Sequence, residues 1–205
     1  MPTLAELRAL AKRDPVLGKA MKRVPPFPVM PMPILKGPHF HTIARSIVYQ
    51  QLATAAARTI YGRVRDLTPG KGFPTAAQIL DLPEESLRGA GLSRAKTKAI
   101  LDLSRKSESG ELKLRSLGRL DDEEIVRRLT TVWGVGEWTA QMFLIFKLGR
   151  PDVMPSKDLA VQEGLRILDG LDARPAPADI MARAEVWRPL RSVAAWVLWR
   201  LTDTP

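Results

Sequence analysis

Two glycines, one residue apart between two helical patterns, constrain the fold more than any other feature of the chain. The segment 132–140 reads Val-Trp-Gly-Val-Gly-Glu-Trp-Thr-Ala. Before it, Asp121 can cap a helix and Glu124 can reach back to complete a capping box. Apolar residues recur at helical spacing up to the glycines, and a second, apolar helix is predicted over 139–148. The pattern therefore predicts two helices joined by a tight hairpin.

The hairpin is suited to bind an anion. We expect the backbone amides around Gly134, Gly136 and Trp138 to point outward at the start of the second helix, where unpaired donors and the helix dipole attract negative charge. Such a turn can hold a nucleic-acid phosphate without reading a base. The alternative is a helix-helix corner whose glycines only permit close packing, and the hairpin alone leaves both interpretations open.

The charge of the chain favours a polyanionic partner. Lys and Arg number 32 against 22 Asp and Glu, which gives a net charge of +10, as expected of a nucleic-acid binder. A membrane-surface protein competes with this interpretation, but the sequence shows no long apolar stretch, signal peptide or basic amphipathic anchor. The absence of cysteine excludes disulfides and cysteine-held iron-sulfur clusters. A cytoplasmic location without membrane association is the expectation.

The hydrophobic pattern is helical along most of the chain, which predicts an all-α fold. The 205 residues, 45% of them hydrophobic, suffice for one compact unit. Six prolines between Pro25 and Pro38 predict an extended segment there. Besides the two helices of the hairpin, helices are predicted over 3–23 (as one helix or two), 39–49, 53–66, 75–81, 84–89, 93–106, 158–168, 178–187 and 190–201.

The residues 133–140, together with Met-Pro-Ser-Lys-Asp at 154–158, resemble the helix-hairpin-helix DNA glycosylase superfamily. Within it, the 3-methyladenine DNA glycosylase II branch fits best, over most of the chain. The resemblance implies two helical lobes with the active cleft between them. Lobe one would comprise 1–36 plus 151–205, and lobe two 37–150, with the helix-hairpin-helix at about 121–148.

The same resemblance implies a function. Members of the branch act in base excision repair, bind double-stranded DNA containing damaged bases, and hydrolyse the N-glycosidic bond of a flipped-out alkylated purine of the 3-methyladenine or 7-methylguanine type. An abasic site is left. A monomer without an obligatory cofactor is expected.

Asp158 matches the family's catalytic aspartate. Cleavage of the glycosidic bond builds positive charge on the sugar, and a carboxylate near C1′ stabilises that state or orients the attacking water. An Asp at a helix start is also an ordinary N-cap, and the two roles can coexist. Asp152 is a nearby alternative carboxylate, but it precedes Pro155 in a predicted loop and matches no family position.

Position 138 indicates the type of reaction. Superfamily members that also nick the DNA backbone carry at the matching position a lysine that forms a Schiff base with the sugar. Here the residue is Trp138, and neither Lys147 nor Lys157 matches that position. The resemblance therefore implies a monofunctional glycosylase without a lyase step.

Four residues occupy positions of the family's base pocket: Trp138, Met142, Ala160 and Trp199. Indole faces attract a positively charged alkylated base through cation-π interaction, worth ~0.5 to 2 kcal/mol. Met142 and Ala160 stand where the branch commonly has larger residues, so the pocket is expected to be roomier. Core packing is the alternative for Trp199 and the preferred interpretation for Trp196, its neighbour on one apolar helix.

A loop between two predicted helices resembles the family's wedge, which fills the gap left when a base is flipped out at a cost of a few kcal/mol. The segment is Ile-Val-Tyr-Gln-Gln-Leu-Ala-Thr at 47–54. It places Gln51 at the inserting position, with Leu52 beside it. Leucine is frequent at that position in the family. A glutamine pair that satisfies backbone groups at a helix junction is the alternative.

Charged residues and carbonyls complete the predicted DNA contacts. Lys157, Arg191 and Arg94 are candidate phosphate contacts, although basic side chains are commonly only solvated. The family resemblance implies a monovalent cation, Na+ or K+, on backbone carbonyls that leave no side-chain signature; the matching positions are Thr130, Val132 and Gly134. The two histidines of the chain match no divalent-metal pattern.

Two other functions are compatible with parts of the sequence. A non-catalytic helix-hairpin-helix protein needs the hairpin and positive charge, but not Asp158, Trp138 and Trp199 at family positions. A glycosylase for another lesion, such as a deaminated base, acts on a neutral leaving group that ordinarily needs acid assistance. The combination of residues favours the alkylpurine enzyme.

Overall fold

The computed structural model describes residues 2–28, 35–70 and 72–203, and in this part of the chain every regular element is helical. The all-α prediction is confirmed. A 3-10 helix spans Leu114–Arg119, another spans Glu185–Trp187, and a π-helix spans Phe143–Leu148. The α-helices within these residues are α1 (Leu4–Arg13), α2 (Pro15–Met21), α3 (His39–Tyr49), α4 (Thr54–Arg65), α5 (Ala76–Asp81), α6 (Glu84–Gly89), α7 (Arg94–Glu108), α8 (Asp122–Leu129), α9 (Glu137–Met142), α10 (Leu159–Asp169), α11 (Pro177–Ala184) and α12 (Arg191–Thr202).

Most predicted helices are present, with informative differences. Helices α3 and α6 begin and end at the predicted residues, and the segment 3–23 forms two helices. The second hairpin helix was predicted over 139–148, but α9 ends at Met142 and the chain continues as the π-helix. In the predicted extended segment, 25–28 have no regular structure and 29–34 lie outside the described residues. None of the described helices has the length and apolar character needed to cross a bilayer.

The chain divides into two compact units. The first unit comprises Met1–Ile34 and Leu144–Pro205, and the second unit comprises Leu35–Phe143. The divisions thus fall at 34/35 and 143/144, whereas the family resemblance placed them at 36/37 and 150/151. The first unit is therefore built from both ends of the chain, and the second unit is continuous in sequence.

Helices α10 and α12 pack closely in the first unit because Gly164 has no side chain. A Cβ at Gly164 would meet the backbone of Leu198 on α12, lying 2.6 Å from its carbonyl carbon. Real Cβ atoms do not approach backbone that closely. The crossing of these two helices therefore depends on a glycine at this position.

Asp14 joins α1 and α2 to the C-terminal part of the first unit. Its buried carboxylate caps α2 through the Leu17 amide (3.0 Å) and accepts the indole N–H of Trp187 at 2.7 Å. Arg183 forms an ion pair with it at 2.7 Å. Burial opposes ionisation, but these hydrogen bonds and the positive charge outweigh it and lower the pKa of Asp14.

The second unit contains the hairpin. The first hairpin helix, α8, is capped differently from the prediction. Asp121 accepts the Glu124 amide at 2.7 Å, as expected of an N-cap. The Glu124 carboxylate instead accepts hydrogen bonds from the side chains of Arg127 and Arg128. The predicted capping box is wrong because these arginines, three and four residues on, lie within reach on the same helix face.

Candidate active site

Asp158 is held rigidly at the start of α10 in the first unit. Its Oδ1 accepts hydrogen bonds from the amides of Ala160 (2.8 Å) and Val161 (3.0 Å), so it caps the helix. The indole Nε1–H of Trp199 donates to the same oxygen at 3.3 Å. Three donors therefore fix the orientation of the carboxylate.

Trp199 contributes a hydrogen-bond donor as well as an aromatic ring face. Its side chain is 9% exposed, and its ring packs against Phe146 with the centroids 5.5 Å apart. Trp199 was predicted as a pocket wall or as a core residue, and its hydrogen bond to Asp158 was not predicted. Trp196, predicted to pack in the core, is only partly buried; it contacts Phe27 edge-on and donates to the Pro25 carbonyl at 2.8 Å.

Two residues beside Asp158 are open to solvent. Lys157 is exposed, and Leu159 is 66% exposed. An apolar side chain this exposed next to the candidate catalytic carboxylate was not singled out from the sequence. Ala160, the predicted pocket residue, is partly buried.

Asp152, the alternative carboxylate, is already neutralised by arginines. It accepts hydrogen bonds from Arg188 (2.9 Å) and from Arg191 Nε (2.8 Å). Because both positive charges lie at hydrogen-bonding distance, its negative charge is compensated within the protein. The carboxylate of Asp152 therefore has a structural role in the first unit, and Asp158 stays the candidate that the family resemblance predicted.

This ion pair also changes the interpretation of Arg191. Its side chain is 10% exposed and is bound by Asp152, whereas a phosphate contact needs an accessible cation. The structure does not support the predicted role of Arg191. The sequence could not show this, because the pairing joins residues 39 positions apart.

The hairpin of the second unit, residues 130–138, has the predicted tight turn. Gly134 has a φ of +76°, a region that favours glycine, and the Val135 amide donates back to the Val132 carbonyl at 3.0 Å. Gly136 is the N-cap of α9 and supplies no side-chain acceptor. A methyl group at Gly136 would meet nothing within 4 Å, so space is open at the start of this helix.

Trp138 and Met142 lie one turn apart on α9, on the same helix face. Trp138 is 42% exposed, and Met142 is partly buried. An exposed indole can offer its face to a base. Trp133, within the hairpin, is 43% exposed and was given no role by the sequence analysis.

The wedge loop, residues 50–53, joins α3 and α4. Gln51 has a φ of +52°, and among the described non-glycine residues it alone has a positive φ. Such a backbone conformation is costly unless the surrounding structure imposes it. Gln51 is exposed and Leu52 is 39% exposed. The structure therefore presents both predicted wedge side chains to solvent.

Two of the three carbonyls predicted to bind a monovalent cation accept hydrogen bonds from protein donors. The Val132 carbonyl accepts the Val135 amide, and the Gly134 carbonyl accepts Gln50 Nε2 at 3.1 Å. Each carbonyl oxygen has a second lone pair, so these bonds leave room for a cation ligand. The cation, with Thr130 as the third ligand, stays a prediction.

Comparisons with known proteins agree with the fold. The sequence model of the HhH-GPD superfamily base excision DNA repair proteins matches residues 44–189. DNA-3-methyladenine glycosylase 1 of Schizosaccharomyces pombe is 35% identical over 162 residues, covering 78% of this chain and 71% of that protein. The structure of an S. pombe 3-methyladenine DNA glycosylase in complex with abasic DNA is similar with a TM-score of 0.87 at 30% identity, covering 97% of both chains.

A more distant structure shares the fold alone. The 8-oxoguanine glycosylase/lyase of Clostridium acetobutylicum, in complex with double-stranded DNA, has a TM-score of 0.75 at 17% identity, covering 98% of this chain and 70% of that chain. The fold therefore does not distinguish enzymes with a lyase step from those without one. The family model and the S. pombe relative are specific enough to place the protein: the chain belongs to the HhH-GPD superfamily of base excision DNA repair proteins, in the branch of the 3-methyladenine DNA glycosylases.

Proposed function

We propose that the protein is a monofunctional DNA glycosylase that removes alkylated purines, such as 3-methyladenine and 7-methylguanine, from double-stranded DNA. The observation that carries this proposal is the Asp158 carboxylate, oriented by the α10 amides and by the indole of Trp199. A fixed anion of this kind is what glycosidic bond cleavage requires.

The chemistry follows from the charge of the substrate. When the bond between C1′ and the base breaks, its electrons leave with the base, and a cationic alkylated purine departs as a neutral molecule. No general acid is needed for that departure. Positive charge develops on the sugar, where Asp158 stabilises it, and water then attacks C1′ and loses a proton to give the abasic site.

The second unit would hold the DNA. In this proposal the hairpin amides near Gly136 accept a phosphate, and the exposed indole of Trp138 stacks on the cationic base. Gln51 and Leu52 fill the gap in the duplex. Among the side chains predicted to contact phosphate, Lys157 and Arg94 are exposed and are retained, whereas Arg191 is left out because of its ion pair.

The direct test is base release. We expect the protein, incubated with duplex DNA treated with a methylating agent, to liberate 3-methyladenine or 7-methylguanine that chromatography detects. A duplex containing uracil serves as the control and should release nothing, since a neutral base lacks the cationic leaving group. Tight binding of methylated DNA without release would instead support a non-catalytic helix-hairpin-helix protein, and release of uracil alone would identify a different lesion.

The proposal includes the absence of a lyase step, because Trp138 replaces the family's Schiff-base lysine. We expect borohydride to trap no covalent complex between the protein and lesion-containing DNA. Lys147 is the lysine to examine if a complex appears, because it is 8% exposed and burial lowers its pKa, which favours a nucleophilic amine. An adduct that Lys147→Met abolishes and Lys157→Met does not would overturn the monofunctional assignment.

A further inference from the structure

We infer that Gln50 and Lys96 are positioning residues that lock the wedge loop to the hairpin, so that binding of a phosphate and insertion of the wedge act as one event. This inference rests on the proposed function, because it concerns how duplex DNA is opened for base excision. All the residues involved belong to the second unit.

Gln50 connects the wedge loop directly to the hairpin. Its Nε2 donates to the Gly134 carbonyl (3.1 Å) and to the Thr139 hydroxyl (3.0 Å). Gly134 lies in the turn itself, and Thr139 lies on α9 just beyond it, 3% exposed. One side-chain amide therefore bonds both to the phosphate-binding turn and to the helix that follows it, and it stands next to the wedge residue Gln51.

Lys96 holds the other side of the wedge loop. From α7, its ammonium donates to the carbonyls of Val48 (2.7 Å) and Gln50 (2.8 Å). These carbonyls are at the C-terminal end of α3, where backbone acceptors have no partner within the helix and a cation is favourable. Lys96 thereby fixes the point at which the chain leaves α3 and enters the wedge loop.

The same helix supports the hairpin. Asp102, six residues after Lys96 on α7, accepts the backbone N–H of Trp133 at 2.8 Å. The Lys98 ammonium lies 4.4 Å from the centroid of the Trp133 ring. A Cβ on Gly134 would lie only 3.3 Å from the Ala99 Cβ, so the turn sits close against α7. One stretch of α7 therefore supports both loops.

This arrangement has a consequence for base flipping. Gln51 adopts a left-handed backbone conformation that its surroundings must maintain, and those surroundings are the contacts of Gln50 and Lys96. A misplacement of about 1 Å in the positioning of a reacting group can reduce a rate about a hundredfold. Loss of the lock should therefore reduce DNA opening and base release, while the hairpin amides continue to bind phosphate.

The test separates binding from opening. Gln50→Ala removes both hydrogen bonds to the hairpin, and Lys96→Met keeps the aliphatic stem and removes the ammonium. Affinity is measured by fluorescence anisotropy on a duplex with an abasic-site analogue, and opening by 2-aminopurine fluorescence beside that site. The rate of base release is measured on methylated DNA at saturating protein. Lys113→Met, at an exposed lysine of the same unit, controls for the loss of one charge.

For both variants we expect an affinity close to that of wild type, a smaller rise in 2-aminopurine fluorescence, and base release slower by about a hundredfold. Lys113→Met should behave like wild type. The inference would be overturned if both variants opened DNA and released bases as wild type does. It would also be overturned if the variants lost only DNA affinity. If the wild-type protein releases no bases, the proposed function is contradicted. The inference about Gln50 and Lys96 can still be tested in that case, by comparing DNA opening between wild type and the two variants.

Discussion

Asp158→Asn is expected to slow base release by about a hundred- to a thousandfold, the range found when a preorganised electrostatic contact to a transition state is removed. The variant removes the negative charge of the side chain and keeps its shape and its hydrogen-bond acceptor. Asparagine caps helices as well as aspartate does, so the amides of Ala160 and Val161 keep an acceptor. The indole N–H of Trp199 can still donate to the amide oxygen. Only the negative charge that stabilises the sugar cation is lost.

Single-turnover release from methylated duplex DNA measures this effect, and thermal melting confirms that the variant is folded. DNA affinity should be nearly unchanged. Asp152→Asn is the matched control, since it removes a carboxylate from the same unit that is already bound by Arg188 and Arg191, and we expect it to release bases at the wild-type rate. Equal rates for wild type and Asp158→Asn would refute the assignment of Asp158.

Gly164→Ala is expected to destabilise the first unit by about 3 kcal/mol, the upper end of the usual cost of overpacking. The added methyl group would collide with the Leu198 backbone, and backbone cannot rotate away as a side chain can. Helices α10 and α12 must therefore move apart. Since α10 begins at Asp158, the candidate catalytic carboxylate, and α12 carries Trp199, base release should also fall at temperatures where the variant is still folded.

Urea denaturation measures the change in the free energy of unfolding. Gly62→Ala, within α4, is the control, because a Cβ at Gly62 would meet nothing within 4 Å. Alanine is the better helix former, so Gly62→Ala should be neutral or stabilising by about 0.5–1 kcal/mol. Similar stability of the two variants would show that the close helix crossing at Gly164 is not required.

The sequence was sufficient for features that depend on neighbours along the chain. The helix periodicity and the preceding Pro83 predicted α6, and two glycines in a basic chain predicted the hairpin. Asp158 was predicted at the start of a helix, and the structure confirms it as the N-cap of α10, whereas its catalytic role stays a prediction. These features are encoded within a few residues, and a single sequence reveals them.

Features that depend on distant contacts were missed. Arg191 was expected at the DNA surface, but Asp152 binds it from a remote segment. The hydrogen bond from Trp199 to Asp158 joins residues 41 positions apart, and the bond from Gln50 to Gly134 spans 84. The π-helix after α9 also has no local signature, since its apolar residues fit the periodicity of an ordinary helix.

The order of the two units along the chain has a consequence for biosynthesis. The second unit, with the hairpin and the wedge loop, is continuous, so it can fold while the ribosome is still adding residues, as domains generally do. The first unit needs α12 to complete the environment of Asp158. Under the proposed function, a chain synthesised only to the end of the second unit would carry the hairpin but neither Asp158 nor Trp199, so binding of DNA would precede base release.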